Sequence, residues 1–348
     1  MRKEIIWVAG IGILLGIIIA FGVWRVNSSI SNNTPPPTIN ESPTPTSSPI
    51  GFDITLSQPQ DNDVITSSPM TVSGITKPLS WIVISGESSD YVLQSNADGT
   101  FSQEVDLTPG VNQIQATAFS PEGDQTQAKV IVVYSYIFPQ ETAVATPTTS
   151  PNATDEVQIN QKVAQRLAQI SSQPKAYLGS VTDIADSTIE IKSLDSKIQQ
   201  ISVEGSGITV VDTRGHSTKP FKPTDIAIGD FIIAMGYVDS SHVLSARQIS
   251  ISNSFTENKI SYSLAKITKI TKSSLTVTNV SDGSTTTLQP DKDTDIEIVS
   301  SGKSKSAKLS DLNVGDEVIY VVGTTAGELI PRSIFDIAPL SPTPTPKP

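Results

Sequence analysis

The chain has 348 residues, enough for two or three domains, and its formal net charge of −11 makes nucleic acid an unexpected partner. It has no cysteine, which excludes disulfides, cysteine-based zinc sites and thiol catalysis. Thr, Ser and Pro are abundant, and this composition predicts strands and linkers more than helices.

The N-terminus predicts a single-pass membrane anchor. After two basic residues, residues 5–24 form a run of 20 without a charge, with Trp7 and Trp24 near its ends. A helix of this length crosses about 30 Å of hydrocarbon, and the basic flank keeps residues 1–4 in the cytoplasm. The alternative is a cleaved signal peptide, but the long run and its bulky end favour an uncleaved anchor. Both alternatives predict that the rest of the chain is exported.

Three segments rich in Pro, Thr and Ser predict linkers. They are residues 25–50, 137–155 and the tail 338–348. Because Pro fixes φ and removes a backbone donor, these segments favour extended spacers over strands or helices.

Residues 51–136 predict a β-sandwich. About seven short runs with strand character are separated by turn signals such as Pro109-Gly110, and "VNQIQATAFS" alternates between two faces. The clauses Asp98-Gly99-Thr100-Phe101 and Pro109-Gly110-Val111-Asn112 resemble a bacterial immunoglobulin-like domain of the kind appended to glucodextranase. That resemblance implies an extracellular spacer, adhesive unit or accessory to glycan enzymes, without catalytic residues.

Residues 156–172 predict a short amphipathic helix. Ile159, Val163, Leu167 and Ile170 form one apolar stripe at helical spacing. The stripe fits a docking or oligomerisation helix, but a connector packed on the next domain is the favoured interpretation.

The rest of the chain is a tandem repeat. Placing Val181 on Ile267 gives a shift of 86 that aligns residues 177–252 with residues 261–337. The repeated clause is "DIAIGD" at residues 225–230 and "DLNVGD" at residues 311–316.

Each copy predicts five to seven short strands with Gly at the bends, which favours a small closed barrel of the OB type. The order Gly-x-Val/Ile, Thr-Ile, Asp-Leu-x-x-Gly-Asp and a closing Ala-x-x-Ile resembles a family of secreted bacterial domains of unknown function. The resemblance implies fold and export only. The second copy lacks one residue before its last strand, so the shift there is 85. It departs from the family order at Pro331, where the first copy has Ala246.

Catalytic residue types are scarce in the sequence. His216 and His242 both lie in the first copy, so the repeat cannot share a histidine-based mechanism, and we interpret both as exposed. We predict no catalytic residue, cofactor or metal, and the chain is expected not to be an enzyme.

Two acidic groups are weak calcium candidates. A solvated strand edge explains the group in the second copy, and an Asp-Gly turn explains Asp98 in the sandwich without a metal. The groups are Asp291, Asp293, Asp295 and Glu297, and Asn96, Asp98 and Glu104.

Three hypotheses for function remain. The favoured one is a membrane-anchored extracytoplasmic surface protein whose β modules bind, adhere or space. The first alternative is a cell-wall or glycan-binding accessory protein, with Trp81, Tyr91 and Phe101 as a stacking platform and Lys303, Lys305 and Lys308 as a basic loop. The second is a hydrolase-associated module. Expected partners are the membrane and a wall polymer, glycan or surface protein.

Overall fold

The fold is mainly β, as the composition predicts. The computed structural model describes residues 52–120, 122–138, 173–204, 207–215, 221–300, 303–325 and 328–337. The predicted span 5–24 with its flanks, the linker 25–50, most of 137–155, the helix 156–172 and the tail 338–348 lie outside these residues. Nowhere in the described ranges is there a helix with the length and apolar character needed to cross a membrane.

Eight strands form the N-terminal module of the described chain. They are β1 (Thr55–Gln58), β2 (Val64–Ile65), β3 (Met70–Ile75), β4 (Trp81–Ser85), β5 (Asp90–Gln94), β6 (Thr100–Val105), β7 (Gly110–Phe119) and β8 (Gln125–Tyr134). One sheet has the order β1-β3-β6, and the other has the order β2-β8-β7-β4-β5. Side chains from both sheets share one core, including Val72, Phe101, Ile84, Ile114 and Val132. The module is therefore a sandwich of two sheets packed face to face.

The first repeat forms a closed barrel. Its strands are β9 (Lys175–Ala185), β10 (Thr188–Ser193), β11 (Ile198–Ser202), β12 (Thr209–Asp212), β13 (Phe231–Val238) and β14 (Val243–Ser252). The order is β11-β10-β9-β13-β14-β12, and a further parallel pairing of β11 with β14 closes the sheet. Strands β11 and β12 pair with successive halves of β14, so together they act as one interrupted strand.

The second repeat has the same path with a different seam. Its strands are β15 (Ile260–Ile270), β16 (Leu275–Asn279), β17 (Thr285–Leu288), β18 (Asp295–Ser300), β19 (Lys303–Ser306), β20 (Glu317–Thr325) and β21 (Glu328–Ile337). The order is β17-β16-β15-β20-β21-β18-β19, and β17 is not paired with β21 as β11 is paired with β14. The closing pairing that the sequence predicts is thus absent from the described second repeat, which we call the second barrel. Its strand β21 carries Pro331, which has no N–H to donate.

The repeated clause makes the same hydrogen bonds twice. Asp225 accepts from the Lys222 amide at 2.9 Å, and Asp311 accepts from the Lys308 amide at 2.9 Å. Asp230 accepts from the Ala227 amide at 3.0 Å, as Asp316 does from Asn313 at 2.8 Å. In each copy the first aspartate therefore closes a tight turn at the start of the clause, and the second closes one at its end.

The clause also ties this turn to the first strand of its barrel. Gly229 has φ of 95° and donates to the Val181 carbonyl at 2.9 Å, and Gly315 has φ of 106° and donates to Ile267 at 2.9 Å. A residue with a Cβ is strained at such a φ, which explains the glycine. Immediately after this anchor both first strands bulge, at Thr182 and Thr268.

The two aliphatic positions of the clause have opposite surroundings, which gives a matched test. In the second repeat Leu312 is 4% exposed in the barrel core, whereas Val314 is 63% exposed. We expect Leu312→Ala to lower the free energy of unfolding by about 2–5 kcal/mol, because it leaves a cavity. Val314→Ala is the control and should change it by less than about 0.5 kcal/mol. Urea unfolding measures both, and equal losses would contradict the described core.

Candidate functional site

The five-stranded sheet of the sandwich is buried on both faces. Its inner face lies in the sandwich core, and its outer face carries Trp81 and Val83 on β4 and Phe119 on β7. Farther along the same face lie Ile131 and Val133 on β8. The outer face thus has two apolar patches, and each patch is covered by one barrel.

The second barrel covers the patch around Trp81. Its contribution comes mainly from the outward sides of β15 and β20, with Tyr262, Leu264, Ile319 and Val321. Phe335, also in this cluster, is fully buried. The contact between the sandwich and the second barrel is therefore a cluster of buried apolar side chains.

The first barrel covers the patch around Val133 with the equivalent strands. Its contribution includes Ala176 and Leu178 on β9 and Ile233 and Met235 on β13. These four residues align by the shift of 86 with the four residues that the second barrel uses. Both repeats therefore dock through the outward face of two neighbouring strands, β9 and β13 in the first repeat and β15 and β20 in the second.

A polar stripe separates the two patches, and the segment between the barrels binds to it. The Gln113 side chain donates to the Asn258 carbonyl at 3.0 Å and accepts from the Asn258 amide at 3.1 Å. The Asn258 side chain donates to Glu87 at 2.8 Å, and Lys129 pairs with Glu257 at 2.6 Å. The stripe holds the connection between the barrels in place.

Each barrel also makes polar contacts with the sandwich. At the second barrel, Arg332 donates to the Gly86 carbonyl at 3.0 Å, and the Ser333 hydroxyl donates to Asp90 at 2.6 Å. Asp90 has a side chain only 1% exposed and lies 3.3 Å from Arg332 Nη2.

At the first barrel, Lys175 pairs with Asp63 at 2.7 Å. Ser135 donates to Gln248 at 3.0 Å, and Gln248 aligns with Ser333. The polar contacts are therefore partly equivalent in the two interfaces.

The three aromatic candidates do not share one exposed surface. Trp81 is 5% exposed between the sandwich and the second barrel, and Phe101 is 3% exposed in the sandwich core. Tyr91 is half-buried, and its hydroxyl donates to Asp106 at 3.1 Å. A stacking platform of three rings is thus not assembled by this arrangement.

The acidic candidates of the sandwich serve local structure. Asp98 accepts from the Thr100 hydroxyl at 2.7 Å and from the Thr100 amide at 3.0 Å, and these two hydrogen bonds lower the pKa of its carboxyl. Glu104 accepts from Thr71 at 2.7 Å. The Asn96 side chain donates to Thr100 at 2.9 Å.

The acidic candidates of the second repeat are likewise dispersed. Asp291 accepts from the Asp293 amide at 2.9 Å, Asp293 pairs with Lys292 at 3.0 Å, and Glu297 accepts from Ser304. Asp295 begins β18. Within the described ranges no three metal-ligating side chains come together.

The histidine and lysine candidates lie in different settings. His242 is exposed, and its carbonyl accepts from the Tyr177 hydroxyl at 3.0 Å, while His216 lies outside the described residues. Lys303 and Lys305 belong to β19, a fully exposed strand at the end of its sheet. Lysines at such an edge discourage pairing with other strands.

The second aspartate of the clause has a different neighbour in each repeat. Arg214 pairs with Asp230 at 2.7 Å and with Asp212 at 2.8 Å. In the second repeat Asp316 lies near Asp336 instead. Burial and the Asp316 charge raise the pKa of Asp336 to about 6.

Comparison with known proteins gives distant likenesses to solved structures. No described protein family and no curated protein matches the sequence. A tetra-tandem repeat from the extending region of a large adhesion protein is 13% identical, with 81% of this chain and 72% of that chain covered and a TM-score of 0.21.

Two further solved structures are similarly remote. A structure on host cell surface retention of a 1.5-MDa bacterial ice-binding adhesin is 12% identical over 83% of this chain and 98% of that one, with a TM-score of 0.17. Dimeric latent PorU from Porphyromonas gingivalis is 8% identical over 82% and 34%, with a TM-score of 0.20. Scores this low carry no argument about fold or function.

Sequence reasoning missed the two interfaces. The available signal was the continuous apolar runs at residues 81–84 and 130–133, since alternation is lost when a strand is buried on both faces. The periodicity of "VNQIQATAF" instead favours one solvent-exposed face, because Gln113, Gln115 and Thr117 are polar and lie on the same side of the strand.

Stability should depend on pH through Asp336. Its pKa in the folded protein, about 6, exceeds its unfolded value, so its stabilising contribution is present at low pH and lost between about pH 4 and 6. We expect Asp336→Asn to be more stable than the parent at pH 7, by about 1 kcal/mol after discounting for solvent screening. The gain should vanish near pH 4. Exposed Asp293→Asn, compared in the same urea titrations, should show no such pattern.

Loss of the Arg332–Asp90 ion pair should destabilise the protein more than loss of the more exposed Lys129–Glu257 pair. Arg332→Met leaves the Asp90 charge buried without its counter-charge, and we expect the free energy of unfolding to fall by about 3–5 kcal/mol. Lys129→Met removes a half-exposed pair at the same sheet and should cost at most about 1 kcal/mol. Denaturant unfolding of both variants is the measurement, and a small effect of Arg332→Met would mean that this interface does not form as described.

Proposed function

We propose that this chain is a membrane-anchored, extracytoplasmic, non-enzymatic surface protein whose β modules act in binding, adhesion or spacing. The observation that carries the proposal is the docking of both barrels on the outer face of one sandwich sheet. Modules joined only by linkers would move independently. Modules joined through an apolar sheet face form one block with a fixed geometry.

The sequence supplies the setting for this block. Residues 5–24 are the proposed anchor, and the Pro-rich residues 25–50 are the proposed spacer between the membrane and the sandwich. The bulk of the chain is then outside the cytoplasm. A spacer followed by a block of fixed geometry is suited to holding a surface at a distance from the membrane.

Glycan binding is the weaker proposal on the described residues. A stacking site needs exposed aromatic faces, and two of the three candidate rings are buried. No contact among the described residues favours the role of accessory to a hydrolase over the role of spacer.

The absence of cysteine allows a clean test of topology. We expect Lys272→Cys, at an exposed position, to react with an impermeant maleimide on intact cells and to fractionate with membranes. The matched variant Lys3→Cys should react only after permeabilisation. Labelling in the opposite order would overturn the proposed orientation, and labelled protein released into the medium would replace the anchor with a cleaved signal.

The fixed geometry can be measured on the same full-length protein in detergent. Spin labels at Lys77→Cys and Lys272→Cys, on the sandwich and the second barrel, should give one narrow distance distribution in pulsed electron paramagnetic resonance. The same pair measured in denaturant is the control and should give a broad one. A broad distribution without denaturant would contradict the spacing role of a fixed block.

A further inference from the structure

One interface contains four buried oxygen atoms without a hydrogen bond. They are Ser85 Oγ, Asp90 Oδ1, Thr117 Oγ1 and the Tyr262 hydroxyl. In the part of the chain that the structure describes, these are all the buried side-chain nitrogen and oxygen atoms that lack a partner. All four belong to the contact between the sandwich and the second barrel, so they require a common explanation.

The sheet register places three of these residues on one face. Ser85 on β4 lies directly opposite Asp90 on β5. Thr117 on β7 lies opposite Val83, which belongs to the same outward face of β4 as Ser85. Side chains of directly opposed residues in antiparallel strands point to the same side. The three oxygen atoms therefore face the second barrel.

The fourth oxygen comes from the barrel. Tyr262 on β15 is 4% exposed, and its hydroxyl lies near the charges of Asp90 and Arg332. It is close enough to the Ser85 hydroxyl to interact with it, but the two groups do not have the distance and angle of a hydrogen bond. The hydroxyl is protonated at neutral pH, and burial raises its pKa further, so it has a hydrogen bond to donate. The aligned residue in the first barrel is Ala176, which carries no polar group.

The charge and chemistry of the cluster decide what it binds. Hydroxyl groups donate and accept, and a carboxylate accepts, so together they match water, which does both. A cation is disfavoured because Arg332 Nη2 already lies 3.3 Å from Asp90 Oδ1. A buried donor or acceptor left without any partner costs more free energy than its hydrogen bond would contribute, so four such atoms without water would be costly. Buried water commonly satisfies such groups, with two to four hydrogen bonds per molecule.

We propose that the interface between the sandwich and the second barrel encloses ordered water bound by Ser85, Asp90, Thr117 and Tyr262. This interface thus contains a hydrated polar site among its apolar side chains. The first barrel's contact differs, because its buried Ser135 and Gln248 side chains bond to each other directly. The inference does not depend on the proposed function.

The sign of a single substitution tests the proposal on the full-length chain in detergent. If water joins the hydroxyl to its neighbours, Tyr262→Phe removes a satisfied hydrogen bond and should lower the melting temperature by roughly 2–4 °C. If the hydroxyl is dry, the same change removes an unpaired polar group and should raise it. Tyr320→Phe is the matched control, because the Tyr320 hydroxyl in the same barrel donates directly to Asn279 at 2.9 Å.

Magnetic relaxation dispersion of water oxygen-17 counts the long-lived waters themselves. We expect its amplitude to fall in Tyr262→Phe and to stay at the parent value in Tyr320→Phe. Thr117→Val, which preserves shape, serves as a second variant if Tyr262→Phe does not fold. A raised melting temperature in Tyr262→Phe would overturn the proposal. An amplitude unchanged in Tyr262→Phe, or in Thr117→Val where that variant replaces it, would overturn it as well, because a lowered melting temperature would then come from a direct contact between Tyr262 and Ser85.

Discussion

The outer face of the five-stranded sheet is the constraint on which the arrangement of modules depends. A sandwich ordinarily buries one face of each sheet and leaves the other in water. Here Trp81, Val83, Phe119, Ile131 and Val133 make that second face apolar, and exposing it would be costly. Two barrels cover it, so three modules that could each fold around its own core become one compact unit.

The tandem repeat explains how two barrels meet one sheet. Docking residues recur at equivalent positions, such as Leu178 and Leu264, because the paired strands β9 and β13, like β15 and β20, carry apolar side chains on both sides. The repeated clause then fixes the barrel behind that face, since its glycine and second aspartate bond to the first strand beside the bulge. A duplicated domain thereby supplies a duplicated docking surface, which the sandwich uses at two separate patches.

The copies differ where their local chemistry differs. The seam that β11 and β14 close in the first repeat has no such pairing in the second, where Pro331 replaces Ala246. Asp230 pairs with Arg214, whereas Asp316 lies near a second carboxylate, that of Asp336. The interface of the second barrel contains the Arg332–Asp90 ion pair and four buried oxygen atoms without a hydrogen bond, and the first interface has no such group of oxygen atoms in the described residues. The two equivalent domains therefore contact the sandwich through different polar side chains.

The sequence by itself determined the β class, the repeat with its shift of 86 and the turn chemistry of Asp225 and Asp230. These are local, because a turn aspartate bonds to amides two or three residues away and alternation reflects the pleat. Only the tertiary structure decided that Gln113 and Thr117 are buried, that Trp81 is an interface residue and that Arg332 meets Asp90. Those outcomes depend on residues more than a hundred positions apart in the chain, and the period of a strand shows its two faces without showing what covers them.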